Sequence, residues 1–401
     1  MAPPVALTVN PLSSLLALSE EDKASRGVLH TPREIAQQPA LWRTTLDCLR
    51  GRHAEIRAFL KAAGLDSAQK PTVLLAGAGS SDYIGRSLAP LLRRLWQCEV
   101  AAVPSTDLLT HPENFIAPGR RHLWISFSRS GESPEGVAVL LQALARHPGI
   151  HHLIVSCNAQ GRMLRETAAC KQVLGVALPD AANDRGLAMT SSFSNMVVFG
   201  QALANIDNLD GYAATVDSLA RAGEHFLHAA AESAAHLAGQ SLAKACFVGS
   251  GPLKAVAKES ALKLLELTAG KILTASESAL GLRHGPMAAL DHDTLLVAFL
   301  SGDANVRRYE TDLLEEIGRK RLVTTRVAVC QSSGPEIRAC AEHVLESAAS
   351  PPLADDYRPP LDVIFGQLLG LFFSLRANLK PDCPSPNGAI SRVVQNFVIH
   401  S

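Results

Sequence analysis

Two short apolar runs, each closed by a glycine-serine turn and followed by a helical pattern, constrain the fold of this chain more than any other feature. The first is Thr72–Ala76, then Gly77-Ala-Gly79-Ser80-Ser81-Asp82, then an amphipathic stretch from Ile84 to Trp96. The second is Ala245-Cys-Phe-Val, then Gly249-Ser250-Gly251-Pro252, then a helical stretch from Val256 to Thr268. A short run without alternation reads as a strand buried on both faces, and the helix behind it covers one of those faces. Further candidate strands lie at Val100–Pro104, Leu123–Phe127, His152–Cys157 and Gln172–Leu178, and again at Thr294–Leu300, Thr325–Cys330 and His343–Leu345. Helical patterns such as Glu135–Arg146 separate most of them. Strands alternating with helices specify parallel sheets of the α/β class. The second series follows the first at about 170 residues, too long a period for a solenoid. Two similar domains are therefore expected, divided within the helical stretch between Ser194 and Gly239.

The bulk composition agrees with two domains. The chain has 401 residues and is 47% hydrophobic, enough for a substantial core. Lys plus Arg and Asp plus Glu are both 38, so the net charge is zero, which argues against nucleic-acid and polybasic membrane partners. The eight cysteines contain no CxxC pair and read as reduced thiols of a cytoplasmic protein. The first residues lack a basic segment followed by an apolar one, and apolar runs break well short of a membrane span, so neither a signal peptide nor a transmembrane helix is expected. Residues 1–26 are weakly patterned and read as an arm or loose helix. Thr31-Pro32-Arg33-Glu34 offers an N-cap, a first-turn proline and an acidic first turn. Helical periodicity then runs to Gly64, broken in two by Pro39. The tail Lys380–Gly388 is too rich in proline to be regular, and Ala389–Phe397 reads as a short helix or clamp.

Several segments could carry chemistry. Ser128-Arg129-Ser130-Gly131-Glu132-Ser133 lies behind an apolar run. Its hydroxyls, with the backbone N–H groups of a following helix, match the oxygens of a phosphate, although a capped strand-to-helix turn has the same composition. Gly77-Ala-Gly79 departs from the dinucleotide fingerprint because Asp82 stands where a third glycine is required. The turn with Ser80 and Ser81 suits one phosphate or a sugar hydroxyl better. Glu259, Lys263 and Glu266 share a helix face. A salt-bridged, solvated face would account for them, but Leu262, Leu265 and Leu267 leave little room for Glu266 to be fully exposed. His284, followed by Gly285-Pro286, sits on a turn that would project an imidazole, a natural acid–base group. Thr190, Ser191 and Ser192 either cap the apolar helix behind them or bind ligand oxygens.

Taken in order, these pieces resemble the sugar isomerase (SIS) family, with the domain present twice, from about Thr31 onward. SFSRSGES and the GAGSS turn resemble its first phosphosugar-binding domain, and FVGSGPLKAVAKESALKLLELT with SALGLRHGPMAAL resembles the second domain of the isomerase half of glucosamine-6-phosphate synthase. HTPREIAQQPALW, NDRGLAMTSSFS and PDCPSPNGAISRVVQ look like the bacterial AgaS group. The resemblance implies two tandem SIS domains, each a flavodoxin-like three-layer αβα sandwich with a mainly parallel sheet. The expected division is an N-terminal helical arm (1–65), a first SIS domain (66–215), a second (216–380) and a tail (381–401).

It also implies a metal-independent, cofactor-free aldose–ketose isomerase and deaminase that converts galactosamine 6-phosphate to tagatose 6-phosphate and ammonia. Ser128, Arg129, Ser130 and Ser133 with Ser81 would hold the phosphate. Glu266 would shuttle the proton beside Lys263, and His284 would open the sugar ring. Thr190 matches a ligand-loop position. The synthase has glutamine at the place of Arg129, and its C-terminal lysine has no clear counterpart, although Arg392 lies in a similar tail. The synthase supplies its histidine from the partner subunit, so a homodimer or higher oligomer with a shared site is implied. With no glutaminase segment ahead of Thr31, the chain is not expected to make ammonia from glutamine. A neutral-sugar phosphate isomerase and a non-catalytic sugar-phosphate sensor are the alternatives.

Overall fold

In the computed structural model, which describes residues 10–394 and 398–400, every apolar run singled out above forms a parallel strand. The first sheet contains β1 (Thr72–Gly77), β2 (Val100–Pro104), β3 (His122–Ser128), β4 (His151–Ser156) and β5 (Val173–Ala177), in the order β2-β1-β3-β4-β5. The second contains β6 (Lys244–Gly249), β7 (Leu273–Ser278), β8 (Thr294–Phe299), β9 (Thr325–Cys330) and β10 (His343–Glu346), in the order β10-β9-β8-β6-β7. Counted from the first strand of each sheet, both orders are 2-1-3-4-5, the flavodoxin-like arrangement, whose switch point lies between strands 1 and 3. The two expected α/β domains are therefore present with one shared topology. The strand β7 was not anticipated. Its sequence, LTASES, carries no apolar run because it is an edge strand with its side chains only partly covered.

Helices connect and cover the strands. Ahead of β1 lie α1 (Pro11–Leu16), α2 (Glu20–Arg26), α3 (Thr31–Ala36), α4 (Gln38–Gly51) and α5 (His53–Ala62). The first sheet is accompanied by α6 (Ser80–Trp96), α7 (Ser105–Thr110), α8 (Pro134–Arg146), α9 (Arg162–Thr167) and α10 (Ser191–Ala204). Then follow α11 (Leu209–Ala238), α12 (Leu253–Leu267), α13 (Ala304–Arg319), α14 (Pro335–Cys340) and α15 (Pro359–Arg376). The N-terminal segment differs from the loose arm expected of it. Leu12 and Leu15 of α1 are buried, and Asn10 caps that helix by accepting from the N–H groups of Leu12 and Ser13. The helical stretch to Gly64 is broken twice, at Gln37 and at Arg52, and Pro39 lies in the first turn of α4, where its missing N–H costs nothing. Trp42 of α4 is fully buried and donates from Nε1 to Ser194 Oγ at 2.9 Å.

A shared core joins the two sheets. Every residue of α10 is buried, as is α15 from Pro359 to Ser374, the pattern of helices apolar on all sides and enclosed on all sides. Two glycines let α15 approach α12. A Cβ on Gly366 would lie 2.2 Å from Ser260 Oγ, and one on Gly370 would lie 3.0 Å from the Lys263 carbonyl oxygen. The position of α12 is thus set by backbone contact with α15.

The N-terminus and the tail meet over the loop that enters α10. Thr31 is not the N-cap but the first residue of α3, and the cap comes from the tail. Asp382 accepts from the N–H of His30 (3.1 Å), the N–H of Thr31 (2.8 Å) and the Thr31 hydroxyl (2.7 Å). The Leu187 N–H donates to the Asp382 carbonyl at 3.0 Å. Glu34 of α3 accepts from the N–H groups of Arg185 (2.5 Å) and Gly186 (3.3 Å). The tail itself is irregular from Lys380 to Val394, and residues 395–397 of the expected C-terminal clamp lie outside the described residues.

Burial raises the Glu34 carboxyl to about 8, with the Asp184 charge adding to the rise. The folded chain therefore holds this proton more tightly than the unfolded chain, whose carboxyl titrates near 4.5. The unfolded state binds fewer protons between these values, so this group makes stability fall as pH rises from about 4.5 to about 8. In Glu34→Gln that contribution disappears. Unfolding midpoints measured by calorimetry across this window should decline less steeply than in the parent protein, and identical slopes would refute the assignment.

Candidate active site

The strand–turn–helix units at 72–96 and 122–146 bring their turns together at the switch point of the first sheet, where parallel α/β sheets bind ligands. A small cavity of about 60 Å³ opens there, with Ser81, Ser105, Ser126, Ser128 and Ser133 in its wall. By volume it holds about two waters, the scale of one small oxyanion. The backbone is fitted to it: a Cβ on Gly77 would lie 2.5 Å from the Ser81 carbonyl oxygen, and Gly79 has φ +57°. Ser128 Oγ accepts from the Gly131 N–H at 3.0 Å, and Ser133 caps α8 by accepting from the Gly136 N–H at 3.4 Å. The Ser133 hydroxyl donates to Glu135 at 2.9 Å. Among the described residues, no cation lines the cavity. Positive potential comes instead from the N-termini of α6 and α8, which begin at Ser80 and Pro134. Ser105, at the C-terminal end of β2, and Ser126, inside β3, were not among the expected ligands. The position of Ser105 just past a strand's C-terminal end was a usable signal.

One residue away, the same helix start faces a different cluster. Ser80 Oγ donates to Glu259 Oε1 at 2.9 Å and accepts from Lys263 Nζ at 3.0 Å. Lys263 Nζ lies 2.5 Å from Glu266 Oε2 and 3.4 Å from Glu259 Oε1. Ser80 therefore belongs with the carboxylates of α12 and not with the cavity wall. The solvated helix face considered for these residues does not exist: Glu259 and Lys263 are enclosed, and Glu266 alone keeps partial exposure, at 24% of its side chain. Burial raises the Glu259 carboxyl to about 7, against the opposing pull of Lys263. For Lys263, burial acts downward, but Glu259 and Glu266 outweigh it and raise the ammonium above its ordinary value. The cluster thus joins an ammonium held in its charged form, a buried carboxyl near neutrality and one partly exposed carboxyl group. Such a set can hold and move a proton. The sequence placed Glu259 on the same face, yet only its burial distinguishes it from a surface partner of Lys263.

Four expected ligands are committed elsewhere. Arg129 is buried, and its guanidinium donates to the carbonyls of Leu187 (2.8 Å), Gly186 (3.3 Å) and Arg392 (2.7 Å). Its charge is felt at Glu266 and Lys263, but it does not line the cavity. Thr190 is buried, and both its N–H (2.8 Å) and its hydroxyl (2.9 Å) donate to Asp184. That carboxylate also accepts from the N–H groups of Ser191 and Ser192, both at 2.9 Å, and so caps α10 from six residues upstream of Thr190. Arg392 donates to Asn183 Oδ1 (2.7 Å) and the Asp184 carbonyl (2.7 Å). Ser130 Oγ accepts from the Glu132 N–H at 3.2 Å and is outside the cavity wall. The physical reason is common to all four: a polar group near a buried loop is used first to satisfy that loop's backbone.

His284 stands apart. It is exposed on the turn that follows β7, and its side chain has no hydrogen bond or ion pair among the described residues. The turn is fixed by Arg283, which donates to Glu316 at 2.7 Å. Within one chain the imidazole does not join the Lys263–Glu266 cluster.

Residues 67–206 match the model of the SIS domain. The AgaS protein of Streptomyces coelicolor is 39% identical over 375 residues, covering 93% of this chain and 96% of its own length. The D-galactosamine-6-phosphate deaminase AgaS of Escherichia coli is 33% identical over 371 residues, covering 92% of this chain and 95% of the relative. The crystal structure of tagatose-6-phosphate ketose/aldose isomerase from Escherichia coli superposes with a TM-score of 0.83 at 31% identity, covering 92% of this chain and 96% of that one. With the same paired flavodoxin-like sheets and this extent of likeness, the chain belongs to the SIS-domain family, in its AgaS group.

Proposed function

We propose that this protein is a sugar-phosphate isomerase and deaminase that converts galactosamine 6-phosphate to tagatose 6-phosphate and ammonia, a step of amino-sugar catabolism in the cytoplasm. The observation that carries the reading is the adjacency of Ser80 and Ser81. One borders the oxyanion-sized cavity and the other is bonded to the Lys263 cluster. A phosphate and a proton-transferring carboxylate are thereby brought to neighbouring residues. The names of the AgaS relatives support the substrate. The proposed division of labour gives residues 66–215 the phosphate and residues 216–380 the proton chemistry, with 1–65 and 381–401 closing the loop between them.

The chemistry follows from the groups. Ser81, Ser128 and Ser133 hold the phosphate together with the ends of α6 and α8. Arg129, Thr190 and Arg392 position the loop beside it. His284 transfers the proton that opens the ring to the aldehyde. Glu266 takes the proton from C2, giving an enolamine, and returns it to C1. The resulting imine at C2 adds water, the C–N bond breaks and ammonia leaves, so that C2 becomes the ketone. Lys263 holds the Glu266 side chain in place through the 2.5 Å contact. Supplying His284 from a neighbouring copy would explain its exposed, unpaired position, and the proposed unit is a homodimer with shared sites.

Three outcomes test this. On a panel of amino-sugar and neutral-sugar 6-phosphates, ammonia and ketose should appear together, in equal amounts, with galactosamine 6-phosphate. Ketose without ammonia, formed from a neutral aldose phosphate, would favour the plain isomerase. In Glu266→Gln, exchange of the C2 proton with deuterated water should fall by at least about a thousandfold while substrate still binds, and full turnover would remove Glu266 from the role. Glu266→Gln and His284→Ala chains should each be inactive alone and recover up to about a quarter of activity when mixed at equal amounts, as statistical pairing leaves one intact site in half of the dimers. Absence of recovery in a demonstrated mixed dimer would place both groups in one chain's site.

A further inference from the structure

The faces of α6 and α12 that turn away from the Ser80–Lys263 cluster form the walls of a second, larger opening. This groove has a volume of about 630 Å³, some ten times that of the serine cavity, and lies in the size range of small-molecule sites. Five cations line it: Arg86, Arg93 and Arg94 from α6, and Lys254 and Lys258 from α12. Among the described residues, no carboxylate does. Four of the cations are braced by carboxylates outside the lining, Arg93 by Glu99 at 3.5 Å. Arg86 is paired with Asp82 (2.7 Å), Arg94 with Asp356 (2.5 Å) and Lys254 with Glu277 (2.5 Å), while Arg93 donates to the Val100 carbonyl at 2.9 Å. These contacts hold the cationic groups in place and leave donor hydrogens unspent. Lys258 has no hydrogen bond or ion pair among the described residues, and its ammonium lies 5.7 Å from the centre of the Tyr83 ring. Between the cations runs an apolar strip of Ala89, Pro90, Ala102 and Ala255. The first turn of α12 adds its own positive end.

We propose that this groove is a binding site for a nucleoside diphosphate, distinct from the sugar-phosphate site. The cations match a diphosphate, and the apolar strip matches the flat face of a base. A single phosphate would fill a small part of the volume and meet few of the five charges. Because the groove and the active-site cluster are built on the same two helices, an occupant here bridges α6 and α12. Ser80 of α6 is bonded directly to Glu259 and Lys263 of α12, so such a bridge acts on the spacing of that cluster.

Titration of the full-length protein with ADP by calorimetry tests the site without relying on catalysis. ADP should bind, and saturation with galactosamine 6-phosphate or the substitution Ser133→Ala should leave that binding in place. The pair Lys258→Gln with Arg93→Gln lies on the surface away from the cluster and should weaken ADP about tenfold, as expected for losing two exposed charge contacts. Inorganic pyrophosphate should bind at the same place, more weakly than ADP. The proposal is overturned if ADP gives no heat at millimolar concentration, if the sugar phosphate competes with it, or if the double variant binds it unchanged. It is equally overturned if the double variant alters only the oligomeric state, because the groove would then be an interface between copies.

Discussion

The arrangement of the two domains rests on one enclosed ammonium. Lys263 has no access to water, and its charge is balanced by Glu259 and Glu266 of its own helix and by the Ser80 hydroxyl from the other domain. A charge so placed tolerates little displacement, because removing one partner of a buried pair costs about 3–5 kcal/mol. The two sheets are thus joined at this cluster, and the glycines of α15 hold α12 where the contact can form. The pairing does more than add stability. It leaves Glu266, the one partly exposed acid of the cluster, with a fixed position and an adjacent positive charge.

The second sheet repeats the topology of the first, and its switch point between β6 and β8 is the counterpart of the serine cavity. There the chain supplies its own anions. Glu310 accepts from the Ser301 N–H at 2.7 Å, and Asp355 accepts from the Gly302 N–H at 2.9 Å. Backbone donors that could face an external anion are therefore already satisfied. One fold used twice yields one switch point with an open serine-lined cavity and one whose backbone donors are taken by internal carboxylates. The second copy is free to present a helix face, and α12 carries the charged cluster on it.

Much of the frame was legible because it depends on local rules. Nine of the ten strands coincide with apolar runs, and the turns behind β1, β3 and β6 were recognisable from glycine and serine. The exception, β7, is an edge strand whose polar side chains are only partly covered, so no apolar run marks it. Roles that depend on distant partners were less legible. Thr31 looked like an N-cap, but Asp382 performs that task from the far end of the chain. Arg129 and Arg392 were expected at the ligand because the family resemblance places Arg129 where a phosphate-loop glutamine stands and Arg392 in a tail like the one that carries a C-terminal lysine. Their donors are taken by the carbonyls of a loop that three separate segments hold in place. Glu259 and Lys263 had the spacing of a solvated ion pair, and spacing along a helix carries no information on whether another domain covers it.

Placing Arg129 in the loop rather than in the cavity has a chemical consequence for the proposed reaction. A phosphate held by an arginine fork would be bound strongly in every state of the reaction, substrate and product alike, and uniform binding does not speed the chemical step. A cavity walled by serines and helix ends holds the same dianion through neutral donors, which suits an enzyme that must release a phosphorylated product. The buried guanidinium is then available for a different purpose. It ties the loop at 186–187 and the tail at Arg392 together, and its charge reaches Glu266 without contacting it. The loop and the tail are thus held to each other by one side chain. On this reasoning the distance between phosphate and proton carrier is set by Ser80 and Ser81, and the position of the proton carrier by its contact with Lys263.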